Sequence, residues 1–268
     1  MKGWLIWAYD TTGDQYLRAA TILANSIKAT QKYNNTVAVV VNQQASLSKS
    51  QQDLFDYIIP VHTDRPKEIM TLGYSLSPFQ ETISIEADCI VCSDVSHWWN
   101  VLGQHDMLFP GQVLDVCGNG IVDSYYRRGF NKHGLASIWS GMFYWQKSAM
   151  ASNLFKSATT LGTHWFEHFG MPFEWTENAA NDEIFASVLS QEQYHTCIDT
   201  SGFFTFTHNR THDQPQYLNG QELTSSDFNV TPDGVWIGPW RQSGVLHYHH
   251  KHWATVKVEQ QVGAWNER

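Results

Sequence analysis

Two apolar runs that do not alternate, Trp4-Leu5-Ile6-Trp7-Ala8 and Val37-Ala38-Val39-Val40-Val41, flank a stretch of helical period. A strand with one wet face alternates apolar and polar side chains. A strand that is apolar at successive positions must be covered on both faces, which is the habit of parallel sheets with crossover helices. Between the runs, Leu17, Ala20, Leu23, Ala24 and Ile27 recur at helical spacing over residues 14–30. Thr12 and Gln15 have the spacing of a capping box at the start of that helix, and Asn34-Asn35 closes it. The first forty residues therefore predict a strand, helix, strand unit and commit the chain to an α/β fold.

The pattern continues with a polar helix over 46–55, a strand over 57–61 and an apolar strand over 82–85 that runs into Glu86-Ala87-Asp88. After Asp94 the predicted strands shorten. Residues 108–141 read as meander and loop, 142–145 as a strand, and 148–161 and 181–191 as helices. Residues 201–268 are rich in His, Gln, Gly and Trp with weak periodicity, which predicts a lid or acceptor-facing segment laid over the sheet, then a short tail. No internal repeat and no linker divides the 268 residues, so a single domain is expected.

Charge excludes one broad class. The net charge of −9, with no block of Lys and Arg, argues against an extended phosphate-gripping surface, while a local basic groove stays possible. The four cysteines, Cys89, Cys92, Cys117 and Cys197, are read as reduced core residues. No apolar stretch is long enough to span a bilayer and no secretory segment is recognised, so a soluble, cytoplasmic protein is expected, in a host cytoplasm if the source is viral. Twelve Trp and thirteen His favour a site that stacks on rings, binds metal or moves protons.

The strand ending in Glu86-Ala87-Asp88 places two carboxylates at the carboxyl edge of the predicted sheet, where open α/β folds bind ligands. Hard oxygen donors there suit Mg²⁺ or Mn²⁺ on a diphosphate. Taken alone, the triplet also reads as a solvated turn. The longer segment Ser77-Pro78-Phe79-Gln80-Glu81-Thr82-Ile83-Ser84-Ile85-Glu86-Ala87-Asp88-Cys89-Ile90-Val91, with Asp94 beyond it, resembles the Asp-X-Asp strand of GT-A glycosyltransferases, departing at Glu86. The resemblance implies a GT-A type domain: a mostly parallel twisted sheet flanked by helices, with a Rossmann-like nucleotide-sugar half over about 1–100 and an acceptor half with the metal-site closure over about 101–255. It also implies that Asp88 holds the metal on the phosphates and that Glu86 stands in for the first Asp of the motif.

Four further segments follow the family's order. Ile6-Trp7-Ala8-Tyr9-Asp10, with Ala24-Asn25-Ser26-Ile27, resembles the part that holds base and ribose, which makes Ala8, Tyr9 and Asp10 donor-binding residues alongside Glu86, Ala87 and Asp88. Trp139-Ser140-Gly141-Met142 is similar to the segment where a small residue and a Gly, here Ser140 and Gly141, let the donor sugar approach the backbone; it also reads as a turn into a buried strand. Asn181-Asp182-Glu183 resembles the acidic pair opening an acceptor-facing helix, giving Asp182 and Glu183 as the catalytic carboxylates, although an acid there is also an ordinary helix cap. Finally, Val245-Leu246-His247-Tyr248-His249-His250-Lys251-His252-Trp253 resembles the closing motif of glycogenin and related bacterial galactosyltransferases, shortened by two residues and lacking its Gly and Pro. His247 would then be the third metal ligand beside Glu86 and Asp88, and Lys251 a diphosphate contact. An adventitious metal cluster or a plain basic patch is the alternative.

The resemblance implies a glycosyltransferase that uses Mn²⁺ or Mg²⁺ and a UDP-sugar donor, with a saccharide, a small molecule, a protein or a modified DNA base as acceptor. Hydroxymethylated phage DNA finds support in Arg127, Arg128, Lys132, His133, Arg210, His212 and Arg241 among Tyr125, Tyr126, Phe130 and Trp240. The likeness to glycogenin leans towards retention, whereas Asp182 near the acceptor would serve an inverting reaction as base. A sugar- or nucleotide-binding protein that has lost turnover is the reading from another class.

Overall fold

The structure is a computed structural model and describes residues 1–9, 15–43, 45–63, 66–121, 130–164, 180–209, 217–218, 221–222, 226–248 and 253–267. The chain opens with β1 (Lys2–Ala8), α1 (Gln15–Thr30) and β2 (Val37–Asn42), then α2 (Lys49–Leu54), β3 (Tyr57–Val61), α3 (Gly73–Leu76) and β4 (Glu81–Glu86). Next come β5 (Cys89–Val91), α4 (Trp98–Leu102), β6 (Met107–Pro110), β7 (Val113–Leu114), β8 (Gly120–Ile121) and β9 (Met142–Gln146). Helices α5 (Ala149–Thr163) and α6 (Ala180–Leu189) precede the short strands β10 (Ile198–Asp199), β11 (Thr207–His208), β12 (Tyr217–Leu218) and β13 (Gln221–Glu222). The chain ends in β14 (Phe228–Thr231), β15 (Gly234–Ile237), β16 (Trp240–Arg241), β17 (Val245–His247) and α7 (Val256–Gly263).

Among the described residues, seven strands form the main sheet in the order β10-β6-β9-β4-β1-β2-β3. Strands β4, β1, β2 and β3 run parallel, β9 is antiparallel to β4 and β6, and β10 is parallel to β6. The non-alternating runs are explained by their neighbours. Trp4, Ile6, Val37, Val39, Val41, Ile83 and Ile85 pack with the apolar side of α1, while Leu5, Trp7, Ala38, Val40, Phe143 and Trp145 pack with α5 and α6 on the other face. The one polar atom this buries on Trp7 is satisfied, because its indole N–H donates to Ser84 Oγ at 2.7 Å.

A second sheet, β5-β17-β11-β7-β8, leaves the main one at the end of β4. In it β5 and β17 are antiparallel and β11 and β17 parallel, so a segment from the end of the chain is laid beside the strand that follows Glu86-Ala87-Asp88. Three sequence expectations change. Helix α2 starts later than the predicted 46, because Ser48 and Gln51 form a capping box there. The stretch from residue 256, expected as a tail, is a helix docked on α1: Thr255 caps it, Val258 and Val262 are buried, Arg18 meets Glu259 at 3.8 Å, and Asn266 Nδ2 donates to Asn25 Oδ1 at 2.9 Å. Its apolar signal is three valines, Val256, Val258 and Val262, too little to be read as a helix. Of the cysteines, Cys89 and Cys197 are core residues and Cys92 is half-buried, but Cys117 is exposed, since it sits in the turn from β7 to β8. The capping residue Thr12 lies outside the described residues.

Candidate metal centre

Glu86 is the last residue of β4, in register with Trp7 of β1, and its backbone N–H donates to Gly141 O at 2.9 Å. The chain then turns through Ala87, fully buried, and Asp88 to enter β5 in the second sheet. The acid, small residue, acid triplet therefore spans the seam between the sheets. Strand β17 runs antiparallel to β5 with His247 opposite Cys89, and the next residue, Tyr248, donates its N–H to Asp88 O at 3.1 Å. This places His247 Nε2 at 3.2 Å from Glu86 Oε2 and 3.2 Å from Asp88 Oδ1. The His247 and Asp88 side chains are buried, at 5% and 8% exposure, and Glu86 is half-open at 32%.

Electrostatics agree with a cation site. Burial alone would lower the His247 pKa, but the charge and hydrogen bond of Asp88, then Glu86 and Asp182, outweigh it and raise it to about 9. The same negative field acts on Cys89, whose thiol is pushed well above its ordinary value by burial first and by Asp88 and Glu86 next. Two carboxylate oxygens and an imidazole nitrogen, mutually within 4.8 Å, form a possible metal-holding group. Neighbouring ligands of an octahedral cation with bonds of about 2.1 Å lie about 3.0 Å apart. The 3.2 Å contacts match that spacing, so the residues present fit a divalent cation.

The surrounding segment is arranged to leave room. A Cβ on Gly141 would come within 3.1 Å of His247 Nδ1 and 3.4 Å of Glu86 Oε2, so glycine permits this approach. The Ser140 N–H donates to Asp182 Oδ1 at 2.8 Å, which ties the start of α6 to the turn into β9. Sequence reasoning proposed Glu86, Ala87, Asp88, Ser140, Gly141, Asp182 and His247 from four distant segments, and the structure brings them together. Glu183, next to Asp182 in the first turn of α6, is 4% exposed. Ala8 is buried at the end of β1, and Tyr9 follows it, with its hydroxyl 3.4 Å from both Thr63 O and Thr63 N. Asp10, Lys251, His249, His250 and His252 lie outside the described residues, as do Arg127, Arg128, Arg210, His212, Tyr125 and Tyr126. Trp253 is core, stacked on Phe228 at 5.3 Å, and Trp139 is core against His208.

Two residues of this region escaped the sequence reading. His208 packs edge-on to His247, with ring centroids 4.7 Å apart, and Asn209 donates its N–H to His247 O and its Nδ2 to Tyr248 O, both at 3.1 Å. The abundance of His was the one signal for the first. A two-residue strand such as β11 carries no periodicity that would place either residue.

No protein-family model matches the sequence, and a search of curated proteins finds no relative. Solved structures do resemble it. The galactosyltransferase LgtC, in complex with donor and acceptor sugar analogs, superposes with a TM-score of 0.52 over 99% of this chain and 95% of its own, at 11% identity. The chain has a GT-A type fold. Mouse xyloside xylosyltransferase 1 in its apo form gives a TM-score of 0.46 at 9% identity, covering 74% of this chain and 84% of that one. The glycosyltransferase GlyE of Streptococcus pneumoniae TIGR4 gives 0.47 at 10% identity, with this chain spanning 46% of its length. Among the described residues no helix is long and apolar enough to cross a membrane.

Proposed function

We propose that the protein is a metal-dependent glycosyltransferase that moves a sugar from a nucleotide diphosphate sugar, a UDP-sugar by its likeness to the glycogenin group, to an acceptor hydroxyl. The observation that carries this is the convergence of Glu86, Asp88 and His247 at the carboxyl edge of β4 in a GT-A type fold. Those three residues would hold Mn²⁺ or Mg²⁺. A cation bound there supplies positive charge to the departing nucleotide diphosphate.

The chain's own residues do the rest in this reading. Ala8 and Tyr9 form the base and ribose wall, and the contact of Tyr9 with the Thr63 backbone holds its ring in place. Ala87 keeps the two carboxylates on one short turn. Gly141, without a side chain, lets the donor sugar lie close to the backbone beside Glu86. Asp182, bonded to Ser140 N–H, orients the acceptor hydroxyl or takes its proton, with Glu183 beside it in the first turn of α6 as the second candidate carboxylate. Lys251 and Asp10 belong to the same donor site by the sequence resemblance.

The test is a panel of nucleotide sugars with and without Mn²⁺, reading release of nucleotide diphosphate and thermal shift. The expected result is metal-dependent stabilisation and slow hydrolysis of one donor, lost in Asp88→Asn, whose folding is checked by far-UV circular dichroism in EDTA. Acceptors are then screened, starting with saccharides and hydroxymethylated DNA. Absence of shift and hydrolysis with every donor would overturn the reading in favour of a binding protein without turnover.

A further inference from the structure

We infer that His208 is a positioning residue for the metal centre: its ring, set between Trp139 and His247, fixes the plane of the His247 imidazole so that Nε2 faces Glu86 and Asp88. The inference rests on the metal reading of those three residues given above. It concerns what holds one of them in place.

An imidazole does not fix its own plane. The χ1 torsion of a histidine sits in discrete wells, but its terminal χ2 is broad, so the direction in which Nε2 points is set by what the ring packs against. Around His247 the walls are identifiable. Strands β11 and β17 are parallel with His208 in register with His247, so both side chains leave the sheet on the same face and meet as cross-strand neighbours. The two rings are 4.7 Å apart at 81°, an edge-to-face contact in which rotation of either ring collides with the other. Behind His208 stands Trp139, 5.1 Å away at 51°, and Phe206 touches both histidines at 6.3 Å and 6.0 Å. All four side chains are buried, His208 at 6% exposure.

Gly141 also lies against the His247 ring, where a Cβ would come within 3.1 Å of Nδ1. Among these neighbours His208 is the ring in edge-to-face contact with His247, which makes it a wall against rotation of the imidazole. The same strand also fixes the main chain, through the Asn209 N–H to His247 O. Trp139 connects this wall to the Ser140-Gly141 turn, so the ring stack ties β11, β17 and the entry to β9 into one support.

The role assigned to His208 is shape, not ligation, and that makes it separable. Mn²⁺ affinity is measured by calorimetry, and the visible spectrum of the Co²⁺-loaded protein is recorded, for wild type, His208→Ala, His208→Leu and His208→Phe, with melting in EDTA as the check on folding. Wild-type protein that takes up no Mn²⁺ would sink the metal reading itself. With wild type binding, the expected result is that His208→Ala and His208→Leu bind about 10- to 100-fold more weakly with an altered Co²⁺ spectrum, while His208→Phe, which restores the ring, binds as wild type does. If His208→Ala does not fold, His208→Leu carries the comparison. Undiminished binding in the ringless variants would overturn the inference. So would loss in His208→Phe equal to theirs, because that makes a ring nitrogen, not the ring, the operative part.

Discussion

At His247 burial disfavours the imidazolium and three carboxylates favour it, with the balance at a pKa of about 9. The folded value lies above the ordinary 6.5, so the metal-free protein gains stability from this proton below about pH 6.5 and loses it as the pH rises through 9. The difference corresponds to roughly 3 kcal/mol at most. Denaturation midpoints in EDTA at pH 6, 7.5 and 9.5 should fall for wild type more than for His247→Gln; equal falls would remove the ion pair from the account. Metal affinity should move the other way, rising over the same window, because the cation displaces that proton. Gly141→Ala tests the room beside the ring. Its Cβ would sit 3.1 Å from His247 Nδ1, so the ring must shift, and Mn²⁺ affinity should drop about 10-fold with melting in EDTA little changed.

Long elements were legible and short ones were not. The strands β1, β2 and β4 and the helices α1, α5 and α6 have enough residues for a period to show, and the structure has them within a few residues of expectation. Strands β7, β11 and β17 have two or three residues each and owe their existence to pairing, so no local pattern announces them. Their number matters, because two of them carry His208 and His247. Helix α5 allows a clean check on whether the elements and the site are separable. Ser148 caps it by accepting from Ala151 N–H, so Ser148→Ala should cost about 1 kcal/mol and a few degrees of melting temperature. Its Mn²⁺ affinity should equal that of wild type, and a change there would mean that the helix supports the site directly.

Across the whole molecule, the metal group joins the end of β4, the turn after it and a strand near the end of the chain, in two different sheets. The unfolded chain cannot present that set, so a cation that binds it should stabilise the fold by mass action, by about 2.7 kcal/mol at a hundredfold excess over its dissociation constant. Melting temperature should climb with Mn²⁺ concentration and return to baseline with EDTA; a flat response would mean that the three residues do not bind it. The sequence by itself determined the α/β class, the buried sheet and the identity of the acids at its edge, because burial on both faces forces a continuous apolar run and the edge of such a sheet is where polar residues resume. The closing motif's likeness already put His247 beside Glu86 and Asp88; only the tertiary structure gave their 3.2 Å contacts, the Asp182 bond to the Ser140 turn and the His208 ring against the histidine. Those facts depend on strand pairing between segments far apart in the chain, and pairing energy is a property of the assembled sheet that no single segment encodes.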